Sequence, residues 1–232
     1  MLRLEQVSKV YQRGSASIIG VDRVSLEVAE GEFCAFRGPS GCGKSTLLNL
    51  VAGLDSPTTG EIILNGRPTG RFSSDDWTRV RREDIGIVFQ AFHLIPGLSA
   101  EENVAFPLLL RGERGGAMHK RVEEVLNLVG MSHRRHHRPG ELSGGEQQRI
   151  AIARAVVHSP KLVVADEPTG NLDSHQGAAV VDLLKMLADQ EHRTVLLATH
   201  SGEAAGAAHY VWTMKDGRLI ERVAPNLLSL GR

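Results

Sequence analysis

The run Gly38-Pro39-Ser40-Gly41-Cys42-Gly43-Lys44-Ser45-Thr46 constrains this chain more than any other segment. It fits G-x-x-x-x-G-K-[ST], a spacing that carries meaning only between a strand and a helix. Glu32–Arg37 reads as the strand. Leu47, Leu48, Leu50 and Val51 recur at helical spacing, with Gly53 as a stop signal. In that setting the glycines let backbone N–H groups converge on phosphate oxygens, and the helix N-terminus adds a favourable dipole. Lys44 is then placed to reach β and γ phosphates, and the Ser45 hydroxyl to ligate Mg²⁺.

A phosphate loop needs an α/β body, and the rest of the chain supplies the pattern. Short strands are read at Leu2–Val7, Val24–Val28, Glu61–Leu64 and Ile85–Phe89. Further strands follow at Leu162–Ala165, Thr194–Ala198 and Tyr210–Met214, with a helical pattern over Val180–Leu187. Between them, Val122, Val125, Leu126 and Val129, then Ile150, Ile152, Ala153 and Val157, lie at helical spacing. Alternating strands and helices predict a parallel sheet with crossover helices. The expected fold is an α/β P-loop NTPase (RecA-like) core with an N-terminal antiparallel β portion and an inserted helical subdomain. Its expected boundaries are a core over 1–90 and 159–232 and a helical subdomain over 91–158. The 232 residues carry 27 Lys+Arg against 27 Asp+Glu, a balance that argues against nucleic acid as a partner. No apolar run approaches the roughly 18 residues that span a bilayer, and Met1–Glu5 lacks the apolar stretch of a signal peptide. The expectation is a cytoplasmic protein without direct membrane insertion, which must borrow any membrane from a partner.

The second acidic element of such a site is read at Leu162-Val163-Val164-Ala165-Asp166-Glu167. Asp166 is placed to hold the magnesium shell. Glu167 is placed to orient or deprotonate the attacking water. Leu142-Ser143-Gly144-Gly145-Glu146-Gln147-Gln148-Arg149 opens another helix with an S-x-x-E capping box. Two glycines after the cap each cost about 1 kcal/mol of helix propensity relative to alanine. They make sense if this second helix start must approach an anion closely.

With these residues in view, the chain resembles the ATP-binding cassette (ABC) ATPases over essentially its whole length. Leu142–Gln148 is similar to that family's signature. Tyr11 resembles the aromatic that stacks on adenine, Gln90 the glutamine that senses Mg²⁺ and water, Asn171-Leu172-Asp173 the D-loop, and His200 the switch histidine at the γ-phosphate. The resemblance implies MgATP hydrolysis by a homodimer closed on ATP. Ser143, Gly144 and Gly145 of one chain, with Asp173, would then complete the nucleotide site of the other. Cys42 departs from the family's usual serine. Its place beside Lys44 and the helix N-terminus predicts a thiol that alkylates readily and is protected by MgATP.

Local words narrow the resemblance. Gln90-Ala91-Phe92-His93-Leu94-Ile95-Pro96, Glu102-Asn103-Val104, Pro107-Leu108 and His136-His137-Arg138-Pro139 resemble the macrolide-exporter and lipoprotein-releasing (MacB/LolD) ATPases. Gly170-Asn171-Leu172-Asp173 differs from the Ser-Ala-Leu-Asp usual in amino-acid importers. Cell-division ATPases of the FtsE type share several of these words and are the nearest alternative, with an importer ATPase also open. The apolar run after Gln90 is bracketed by Pro96 and Gly97, so it continues neither strand nor helix. The resemblance implies that residues 91–108 receive an integral membrane permease subunit, which would hold the chain at the cytoplasmic face of the plasma membrane. The basic cluster His133–Arg138 reads as a solvated loop rather than a metal site, because neighbouring positive charge opposes a cation.

Overall fold

A computed structural model describes residues 1–14 and 16–224. Two sheets share the work. Strands β1 (Leu2–Arg13), β2 (Ala16–Val28), β4 (Thr59–Leu64) and β5 (Arg67–Pro68) form an antiparallel sheet of order β2-β1-β4-β5. The second sheet contains β3 (Phe33–Arg37), β6 (Ile85–Val88), β7 (Leu162–Asp166), β8 (Thr194–Thr199), β9 (Tyr210–Lys215) and β10 (Arg218–Val223). Its order is β10-β9-β3-β8-β7-β6, and only the β10–β9 pair is antiparallel.

The period-2 rule explains how the layers assemble. Cys34 and Phe36, Leu162 and Val164, Leu196 and Ala198 face one core, shared with Leu2, Leu4, Ile62 and the helix α1 (Lys44–Val51). Their neighbours Phe33 and Ala35, Val163 and Ala165, Val195 and Leu197 face the other core. That second core holds α3 (Ala100–Leu110), α4 (Gly116–Leu128), α5 (Gly144–Val156) and α6 (Ser174–Asp189). Covered on both faces, β3, β7 and β8 are near-continuous apolar runs, as parallel strands are. The parallel register pairs Arg37 with Thr199 and Asp166 with Ala198. The carboxyl ends of β3, β7 and β8 thus lie side by side, where ligands bind in open α/β sheets.

Three helices go beyond the sequence expectation, the shortest being α7 (Gly202–Gly206). The helix α2 (Ser74–Glu83) buries only Val80, so it carries almost no apolar stripe, but Ser73 and Asp76 form its capping box. The helix α3 is apolar nearly all round, which hides its period, although Ser99 and Glu102 announce it with a capping box. The segment 91–158 holds α3, α4 and α5, as the reading of a helical insertion requires. The last eight residues of the 159–232 segment lie outside the described residues.

The basic cluster is exposed at His133, His136 and Arg138, as a solvated loop is, but it also makes tertiary bonds. The carbonyls of Arg135 and His137 accept from Glu101 and Ala100 N–H at the start of α3 (2.9 and 2.8 Å). Arg135 and His136 both meet the Glu101 carboxylate (2.7 and 3.0 Å), and Arg134 reaches Glu146 on α5 at 3.1 Å. The cluster therefore caps one helix and ties it to another.

Candidate active site

The phosphate loop begins as β3 ends. Gly43 is the N-cap of α1, with φ 105° and no side-chain cap, so the first-turn N–H groups remain available to a ligand. A Cβ at Gly43 would stand 2.1 Å from the Gly20 carbonyl oxygen, so no larger residue fits this turn. Lys44 is 5 % exposed; its ammonium donates to the carbonyls of Gly38 (2.9 Å) and Pro39 (3.1 Å) and lies 3.4 Å from the Glu167 carboxylate. Ser40 and Gly41 remain exposed on the loop, and Thr46 packs near Tyr11 across Gly20. Cys42 turns inward: it is 5 % exposed and belongs to the core around α1. The expected ready alkylation is therefore opposed by burial, and the loop uses this residue's backbone rather than its thiol.

At the end of β7 the Ser45 hydroxyl donates to Asp166 Oδ1 at 2.9 Å. Burial raises the Asp166 pKa, and neighbouring Glu167 pushes it the same way, against the Ser45 hydrogen bond and Lys44. A hydroxyl and a desolvated carboxylate side by side are oxygen ligands of the kind a hard divalent cation takes, and bound Mg²⁺ would relieve that penalty. The residues fit the metal expected from the sequence.

Glu167 adopts φ 46°, a left-handed conformation that a non-glycine residue holds only under tertiary constraint. Its N–H donates to the Ala198 carbonyl at 2.9 Å. Its Oε2 lies 2.8 Å from His200 Nδ1 and accepts from His200 N–H at 3.2 Å. The strand-end register thus gathers Lys44, Ser45, Asp166, Glu167 and His200 from three strands. Such a group can hold a triphosphate, a cation and a water, the requirements of phosphoryl transfer by positioning and charge stabilisation.

Tyr11, near the tip of the β1–β2 hairpin, donates its hydroxyl to Asp55 at 2.9 Å, and Lys9 Nζ lies 5.0 Å from the ring centroid. Burial and then the Asp55 hydrogen bond raise its pKa, so the phenol stays a donor. Gln90, past the end of β6, is exposed and pairs with Asn171. Asp173 caps α6, accepting from Gln176 N–H at 2.8 Å. Ser143 caps α5 in a reciprocal box with Glu146 (3.3 and 2.8 Å). Bonds from Ser143 N–H, with Arg134, hold the Glu146 carboxyl below the usual range. Among the described residues no hydrogen bond or ion pair joins Ser143, Gly144 or Gly145 to the phosphate loop. Gly145 has a reason within the chain as well, since a Cβ there would lie 2.5 Å from Gln176 Oε1.

Three side chains escaped the sequence reading. Arg154 donates to the carbonyls of His93 (2.5 Å) and Phe92 (2.8 Å), holding two residues at φ 50° and 59°. Fully buried Asn103 clasps the same loop further on, bonding the backbone of Ile95, Leu98 and Ser99. Gln148, also fully buried, reaches the Phe89 carbonyl at 3.4 Å, next to Gln90. Asn103 and Gln148 carried a signal only as letters of the words Glu102-Asn103-Val104 and Leu142–Gln148, and Arg154 carried none.

Comparison with known proteins shows what the chain as a whole is similar to. The family model described as ABC transporter matches residues 21–170. Tyr11, Asp173 and His200 fall outside that match. An ABC transporter ATP-binding protein of Methanocaldococcus jannaschii, MJ1508, is 44% identical over 221 residues, 95% of this chain and 98% of that one. Two dimeric structures of the ATP-binding cassette MJ0796, one a post-hydrolysis state bound to ADP and Pi, are 40% identical. They superpose with TM-scores of 0.90 and 0.89, covering 97% of this chain and 99% of theirs. CbiO1 of Clostridium perfringens, part of the transporter complex cbiONQ, is 28% identical with a TM-score of 0.89, covering 99% of this chain and 90% of its own.

Proposed function

The chain belongs to the ABC transporter family, as an ATP-hydrolysing ATP-binding subunit, and on that premise we propose that it works as a Mg²⁺-dependent homodimer driving a membrane permease in export or lipoprotein extraction. The observation that carries the catalytic part is Glu167 held between Lys44 and His200 beside the Ser45–Asp166 pair. In this reading Lys44 and the loop N–H groups bind the β and γ phosphates. Ser45, Asp166 and Gln90 would hold Mg²⁺, which would offset charge on the phosphate oxygens. Glu167 accepts the proton of the attacking water, and His200 keeps that carboxylate oriented and contacts the γ-phosphate.

The dimeric MJ0796 cassettes support the second half of the proposal. The start of α5 is self-capped and makes no bond to its own phosphate loop, so Ser143, Gly144 and Gly145 act on the nucleotide of a second copy. For the permease, a groove of about 440 Å³ is lined by Arg81, Ile85, Ile87, Pro107, Leu110 and Arg154. Beside it Phe106, Leu109 and Leu110 stand exposed on α3. Among the described residues no helix is long and apolar enough to cross a membrane, so anchoring falls to the permease. The exporter and lipoprotein-releasing assignment rests on the sequence words Gln90–Pro96, Glu102–Val104, Pro107–Leu108 and His136–Pro139.

The test is Glu167→Gln. It should keep ATP binding, slow hydrolysis about 10³-fold, a loss of roughly 4 kcal/mol of transition-state stabilisation, and elute as a dimer with ATP on size-exclusion chromatography. Hydrolysis at the wild-type rate would remove Glu167 from this role. The membrane protein that co-purifies in mild detergent separates transport from cell-division work, and Leu110→Glu should abolish that co-purification while leaving the isolated subunit's ATPase intact.

A further inference from the structure

Gln90 and Asn171 are 81 residues apart in sequence and meet through two hydrogen bonds. Asn171 Nδ2 donates to the main-chain carbonyl oxygen of Gln90 at 3.1 Å. A main-chain carbonyl only accepts, so the Asn171 atom facing it must be the nitrogen. The Asn171 amide is thereby fixed, with Oδ1 as the atom left to face the Gln90 side chain. Oδ1 also only accepts, so the Gln90 atom 3.3 Å away is Nε2, the donor. Two free amide rotors are set by elimination from one backbone oxygen. The outcome is chemically specific: Gln90 Oε1, the atom able to ligate a cation, has no hydrogen-bond partner among the described residues. Gly170 contributes from the other side. A Cβ there would stand 2.7 Å from Gln90 Nε2, so glycine is what lets the amide lie against this loop.

We infer that Asn171 is a positioning residue that fixes the Gln90 amide so that its carbonyl oxygen is the atom left free for Mg²⁺, linking the loop before α6 to metal binding. The inference rests on the reading of Gln90 as a metal-sensing residue. Without Asn171 the amide samples both faces, and each encounter with the cation carries the entropy of choosing one. Because Asp173 caps α6 two residues further on, any shift of that helix start moves the clasp as well.

The ratio of trinitrophenyl-ATP affinity with Mg²⁺ to that in EDTA isolates the metal's contribution. Asn171→Ala should lower this ratio about tenfold, the usual size of losing a group that orients a metal ligand. Affinity in EDTA should not change; a merely structural defect would move both values. Gln90→Ala should lower the ratio at least as far, and the double variant no further than Gln90→Ala alone. Gly170→Ala, which displaces the amide from its seat, should mimic Asn171→Ala. An unchanged ratio in Gln90→Ala overturns the metal reading of Gln90 itself. A reduced ratio in Gln90→Ala with an unchanged one in Asn171→Ala overturns the positioning inference alone. Independent, multiplicative losses in the double variant overturn it too.

Discussion

Two helix starts in this molecule are built from glycine and serine, and they are finished in opposite ways. The helix α1 has no side-chain cap; its first-turn N–H groups are left to a ligand, and buried Lys44 brings charge to the same place. The helix α5 is complete without help: Ser143 and Glu146 cap each other, and Arg134 steadies the carboxylate. The difference teaches which end is a finished site and which is half of one. A self-capped, exposed serine does little for its own chain's nucleotide, and in the proposed homodimer it would act on the nucleotide of a second copy.

The largest effects would break this comparison outright. Lys44→Ala and Ser143→Arg homodimers should each lose about 10³-fold in ATPase rate, roughly 4 kcal/mol. Mixing them should restore part of the rate, because one of the two sites then has both elements intact. Normal hydrolysis by Ser143→Arg alone would show that α5 serves no nucleotide.

A second effect arises just past the far end of α5. His158 is 8 % exposed and bonds the Ile85 carbonyl through Nε2. Burial, then the charges of Arg111, Arg193 and Arg121, hold its pKa down to about 4. The unfolded chain therefore binds a proton that the folded chain refuses. The stability from keeping His158 neutral is fully present above pH 6.5 and is lost as pH falls toward 4. Its size is roughly 3 kcal/mol. Urea unfolding at pH 7 and pH 4.5 should show that loss, and His158→Gln should flatten it; an equally steep profile in the variant would assign the loss elsewhere.

The glycines sharpen the contrast at smaller scale. Gly43→Ala forces a Cβ into φ 105° and onto the Gly20 carbonyl, and should cost more than about 2 kcal/mol in thermal or urea unfolding. Gly144→Ala meets nothing nearer than Leu172 at 3.4 Å and should leave the monomer unchanged or up to about 1 kcal/mol more stable. Ser143→Ala removes a cap and should cost about 1 kcal/mol by the same measurement. Equal costs at Gly43 and Gly144 would erase the distinction between the two helix starts.

Much of this was legible in the sequence, for reasons that differ by region. The strand–loop–helix unit at 33–51 is local, and its glycines, lysine and apolar spacing all point one way. The parallel strands announced themselves as short apolar runs. The helix α6 was read only from Val180, because its first turns, from Ser174, are polar or small and show no stripe. The helix α2 stayed hidden because it packs through only Val80 and half-buried Trp77, too few positions to show a period. The tertiary role of the cluster at His133–Arg138 stayed hidden because its partners, Glu101 and Glu146, lie on other helices.

What the sequence by itself determined is the chemistry of each element: a backbone that offers N–H groups at Gly43, carboxylates ending a buried strand, a capping box at Ser143. Short-range sterics and hydrogen bonding decide these within a few residues. Only the tertiary structure decided which of them meet. Glu167 reaches both Lys44 and His200, Asn171 orients Gln90, and Arg154 holds Phe92 and His93. The reason is physical: parallel pairing of β3, β8 and β7 fixes neighbouring strand ends to within a hydrogen bond, however many residues of chain separate them.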